Sequence, residues 1–63
     1  MEFKDKLKYV RGVLFISQTC LANILGVSFA TINRLEQGKN FPNFITIRKF
    51  EKFCTDKAIF FED

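Results

Sequence analysis

Residues 17–39 read Ser17-Gln18-Thr19-Cys20-Leu21-Ala22-Asn23-Ile24-Leu25-Gly26-Val27-Ser28-Phe29-Ala30-Thr31-Ile32-Asn33-Arg34-Leu35-Glu36-Gln37-Gly38-Lys39, and this stretch decides the fold. Leu21, Ile24 and Leu25 recur at helical spacing, as do Ile32 and Leu35, so each set forms the buried face of a short helix. Ser17 and Ser28 are placed to open those helices, because a serine oxygen accepts from an amide that the first turn leaves orphaned. Gly26 stops the first helix two residues before Ser28. Two helices meeting at about 90–120° across a three-to-four-residue turn need a residue that tolerates a left-handed backbone, which Gly26 supplies. A bulky residue at the crossing would push the axes apart, so the small Ala22 belongs there. Val27, in the turn, seals the pair together with Ile32 and Leu35.

Working outward, Phe3, Leu7, Val10 and Leu14 make one apolar stripe on a preceding helix, with Lys4, Lys8 and Arg11 beside it. Gly12 is expected to fray its end. Gly38 terminates the third helix near Gln37, and Gly38-Lys39-Asn40-Phe41-Pro42 is a loop by composition. Asn43 caps a fourth helix with Phe44, Ile47, Phe50 and Cys54 inward and Arg48, Lys49 and Lys52 outward. Residues 55–63 form a tail or a short terminal element. Within it, Ala58-Ile59-Phe60-Phe61 suits a short helix, an extended segment over the core or part of an interface. The fold class is all-α: a bundle of four or five short helices, one domain over residues 1–63.

Composition narrows the function. A chain of 63 residues, 48% hydrophobic, can bury one modest core. Nine Phe and no Trp make that core rich in rings. No apolar run approaches the ~20 residues of a membrane span, and the charged N-terminal stretch points to the cytoplasm. Histidine is absent and the two cysteines are far apart, so no zinc site or other metal or cofactor site is expected. Cys20 and Cys54 read as buried free thiols. Catalysis would rest on isolated acids or thiols without partners, which argues against an enzyme. Net charge is only +3, but residues 6–50 hold Lys6, Lys8, Arg11, Arg34, Lys39, Arg48 and Lys49 against the single acid Glu36. The ends gather Glu2, Asp5, Glu51, Asp56, Glu62 and Asp63 against Lys4, Lys52 and Lys57. A cationic middle suits attraction to phosphate, although a solvated surface would show the same charges.

The quoted string, with Pro42 and the fourth helix at the expected distance, resembles the phage-repressor-like helix-turn-helix family of the Cro/CI or xenobiotic-response-element type. The resemblance covers roughly residues 3–54. It implies a lambda-repressor-like domain, with the helix-turn-helix at residues 17–37, that acts as a transcriptional regulator, more a repressor than an activator. The chain departs from the family pattern at Cys20, where a carboxylate or amide usually completes a capping box, and in its altered C-terminal helix. The partner expected is double-stranded DNA, bound by a homodimer on a pseudo-palindromic site.

At about 100° per residue, Ala30, Asn33, Arg34 and Gln37 fall opposite Ile32 and Leu35. Such a face, free of acids, suits a major-groove reader. Arg34 can fork onto guanine O6 and N7, and Asn33 can pair with adenine, hold a phosphate or face solvent. Ala30 and Phe29 can touch thymine methyls, with the Phe29 ring also able to fold back on the core. Ser28, first of all a cap, completes the base-contact set that the resemblance implies. Gln18, Thr31, Gln37, Lys39 and Asn40 are the corresponding phosphate contacts, where Gln18 matches the family's backbone clamp. The resemblance also pairs Arg11 with Glu36 as a structural ion pair. The competing function is protein interaction on the same fold, as in an antitoxin or adaptor, with Phe41, Phe60 and Phe61 as an apolar patch. The chain could equally be the DNA-specificity domain of a larger protein.

Overall fold

Ser17, Ser28 and Asn43 each cap a helix in the computed structural model, which describes residues 1–61. Ser17 Oγ accepts from the Cys20 amide at 3.0 Å, Ser28 Oγ from Thr31 at 3.1 Å, and Asn43 Oδ1 from Thr46 at 2.8 Å. Four helices result: α1 Phe3–Leu14, α2 Gln18–Leu25, α3 Phe29–Glu36 and α4 Phe44–Asp56. No strand occurs among the described residues. Glu62 and Asp63, two of the acids at the ends, lie outside them.

All four helices close in the same way. A residue in the left-handed region follows each one: Phe15, Gly26, Gly38 and Ala58. The amide after it then reaches five residues back, from Ile16 to Arg11, Val27 to Ala22, Lys39 to Arg34 and Ile59 to Cys54, at 2.8–3.1 Å. This is the Schellman closure, which satisfies carbonyls the helix end would otherwise orphan. It corrects the reading of Gly12: α1 continues through it to Leu14, because the closure falls at Phe15 instead.

The core draws on every helix: Leu7 and Val10 from α1, Leu21, Ala22 and Leu25 from α2, Ile32 and Leu35 from α3, Phe50 and Cys54 from α4. Helix α3 packs against α2 and α1, and α4 against α2. Three expectations about buried faces fail. Ile24 and Cys20 are exposed, because burial of Ala22 turns the inner arc of α2 away from both; at about 100° per residue they sit some 160° from it. The thiols are therefore free but unequal, Cys20 outside and Cys54 in the core. On α4 the buried stripe is Thr46, Phe50 and Cys54, and Phe44 is 68% exposed with the Arg48 guanidinium over its ring at 5.1 Å.

Beyond Ala58 the chain turns back over the core as an irregular segment. Ile59 and Phe61 pack inward while Phe60 stays exposed. Phe61 stacks on Phe50 with centroids 6.4 Å apart and meets the edge of Tyr9 at 5.7 Å. The tail thus ties α1 to α4.

Candidate nucleic-acid interface

Helix α3 is anchored on one side and open on the other. Ile32, Leu35 and Glu36 are buried; Phe29, Ala30, Arg34 and Gln37 are exposed, and Asn33 lies between. The Phe29 ring is 52% exposed and does not fold into the core. At the helix start, Ser28 Oγ and Thr31 Oγ1 share a hydrogen bond of 2.9 Å, so both hydroxyls are partly committed to the cap. Arg34 makes no side-chain hydrogen bond or ion pair among the described residues. Lys39 and Asn40 are exposed just beyond the helix.

Beneath the open face sits an ion pair. Arg11 Nε donates to Glu36 Oε2 at 2.6 Å and Arg11 Nη2 to Glu36 Oε1 at 2.8 Å, a two-pronged contact between α1 and α3. The Glu36 side chain is 4% exposed, so its charge depends on this partner. The hydrogen bonds to Glu36 raise Arg11 above its ordinary range; burial opposes them and the Glu36 charge adds to them. Arg11 also reaches the Ile16 carbonyl, which ties the pair to the end of α1.

Three amides extend from this pair toward the surface. Gln18 Nε2 donates to Glu36 Oε1 at 3.2 Å, Asn33 Nδ2 to Gln18 Oε1 at 3.3 Å, and Gln37 Nε2 to Asn33 Oδ1 at 2.8 Å. Sequence reasoning placed Gln18, Asn33 and Gln37 separately and did not join them. Only Asn33 and Gln37, four apart on one helix, carried a spacing that signals contact.

Two lysines outside the expected set border the ends of α3. A Cβ on Gly26 would stand 3.1 Å from Lys49 Nζ, and one on Gly38 would stand 3.2 Å from Lys4 Cδ. No sequence signal pointed to either, since each reaches α3 across a tertiary contact. Among the described residues no cluster of His, Cys, Asp or Glu could hold a metal ion, and no helix is long and apolar enough to cross a membrane.

Two serine-capped helices joined through a left-handed glycine, with the second anchored by a buried charge pair, constitute a helix-turn-helix unit. An uncharacterized helix-turn-helix-type transcriptional regulator of Methanocaldococcus jannaschii is 44% identical to the chain over 50 residues, 79% of this chain and 76% of the relative. The chain belongs to the helix-turn-helix-type transcriptional regulators. No family model matches it, and no solved structure does.

Proposed function

We propose that the chain binds double-stranded DNA sequence-specifically, as a transcriptional regulator of the phage-repressor-like (Cro/CI, xenobiotic-response-element) type. The observation that carries this reading is the outer face of α3, where Phe29, Ala30, Arg34 and Gln37 stand exposed while the one acid of the helix, Glu36, is buried beneath. A face without exposed carboxylates can approach phosphates closely, and an uncommitted guanidinium suits guanine O6 and N7. In this reading α3 enters the major groove, with Arg34 the principal reader, Asn33 and Ala30 beside it, and Ser28 and Phe29 at the leading end. Lys39, Asn40 and Thr31 set the register on phosphates. Lys49 adds charge near the start of α3, whereas Lys4 at its far end is paired with Glu2 at 3.6 Å; Gln18 keeps a second amide hydrogen for the backbone. Two copies would place their α3 helices about 34 Å apart on a pseudo-palindrome and repress by occlusion.

Selection of bound duplexes from a random pool, run at two salt concentrations, tests this. The expected result is a short enriched half-site, repeated with inverted symmetry, and binding that weakens steeply with salt. A pool that enriches nothing would sink the reading and favour a protein partner instead.

A further inference from the structure

The amide chain between Glu36 and the surface has a fixed direction. A carboxylate only accepts hydrogen bonds and a guanidinium only donates them. With Arg11 fixing Glu36, Gln18 must turn its NH2 toward Glu36, which leaves its carbonyl toward Asn33. Asn33 must then turn its NH2 toward Gln18 and its carbonyl toward Gln37. Gln37 must in turn point its NH2 inward to Asn33. Each amide can be built in either of two flipped forms, but a chain that begins on a carboxylate satisfies only one of them throughout. Asn33 takes one Gln37 amide hydrogen, so the exposed end keeps the Gln37 carbonyl oxygen and the second hydrogen of its NH2, in a fixed order.

We infer that Glu36 is a positioning residue for base recognition: by orienting Gln18, Asn33 and Gln37 it presents the Gln37 carbonyl as an acceptor that selects a base carrying an exocyclic amine. This rests on the reading of α3 as the helix in the major groove. Adenine N6 and cytosine N4 donate there, whereas guanine and thymine offer only acceptors. A phosphate is likewise acceptor-only: it could take the second amide hydrogen but leaves the oriented oxygen unused, whereas an amine-bearing base edge uses that oxygen. Gln37 thereby moves from the phosphate contacts to the base readers, and the buried ion pair gains a part in specificity.

The test uses the whole chain and a panel of duplexes carrying each base in turn at every position of the selected half-site. Wild-type protein is expected to favour adenine or cytosine over guanine or thymine at one position, by about tenfold. Q37K replaces the acceptor with a donor and should invert the preference at that position to guanine or thymine. Q18A leaves Arg11 and Glu36 paired but cuts the chain, so it should flatten that preference several-fold and leave the preference set by Arg34 intact. In the free protein Q18A should also shift the side-chain amide NMR signals of Asn33 and Gln37, which loss of a phosphate contact would not do. Uniform weakening by Q37K on every duplex, or unchanged preference and amide signals in Q18A, overturns the inference while leaving the DNA reading intact. A wild type without base preference anywhere overturns both.

Discussion

Helices α2 and α3 are alike inside and unlike outside. Each has eight residues, a serine cap, a left-handed glycine just past its end, and two large aliphatic residues at 3% exposure or less. Their outer faces differ. Helix α2 shows Thr19, Cys20, Asn23 and Ile24, with no charge, whereas α3 shows Phe29, Ala30, Arg34 and Gln37. The common features make a fold; what differs is available for function. Substitutions on matched positions of the two helices can separate these roles.

The largest effects are expected inside. Leu21→Ala and Ile32→Ala each remove a fully buried side chain and should cost about 2–5 kcal/mol, enough to unfold much of so small a domain. Denaturant midpoints would show it. A tolerated Ile32→Ala would mean that α3 is held mainly by its ion pair. Next comes a matched pair outside: Arg34→Ala should cost about 1–3 kcal/mol of DNA affinity, concentrated at one base pair, with no change in the unfolding midpoint. Asn23→Ala on α2 should alter neither quantity, and equal losses from both would break the contrast.

The caps come third. Ser17→Ala and Ser28→Ala should each destabilise by about 1 kcal/mol, yet only the second should also weaken DNA binding. A parallel loss of binding would show that Ser17 itself joins Gln18 at the DNA backbone. The smallest effect concerns the thiols. A maleimide should modify Cys20 in the folded protein and reach Cys54 only on unfolding. Burial pushes the Cys54 thiol up, ahead of the opposing pull of Lys6. The folded state therefore keeps that proton longer than the unfolded state, and stability should fall as pH rises from the ordinary thiol range through the raised one. A flat alkaline limb in the wild type, or the same slope in Cys54→Ala, would remove the effect.

What the sequence made legible was local. The three caps needed only a Ser or Asn ahead of an apolar period, and two of the helix closures showed as Gly26 and Gly38. The closures at Phe15 and Ala58 were hidden, because residues with a Cβ rarely accept the left-handed region. Missing the first left Gly12 expected to fray the end of α1, and missing the second left the course of the tail open. Periodicity located the inner faces but not their centres: the burial of Ala22 and Thr46 rotated α2 and α4 enough to expose Ile24 and Phe44. At the site, the exposure of Arg34 followed from a helical projection. The joining of Gln18 to Glu36 and Asn33 did not, since those contacts bridge 18 and 15 residues and depend on rotamers that only the assembled bundle selects.

The turn between α2 and α3 has one more consequence. The Gly26 amide bonds to Asn23 and the Val27 amide to Ala22, while Ser28 is already occupied as a cap. With the Gly26 and Val27 amides bonded and Val27 packed on the core, the connection is tied down on both sides. In the proposed complex the two helices would therefore meet a duplex as one stiff wedge. Adjustment between the surfaces would then fall to the DNA, whose bending over a site costs of the order of 1–6 kcal/mol depending on its steps. Base pairs that no side chain touches would then still affect binding, through how readily they bend.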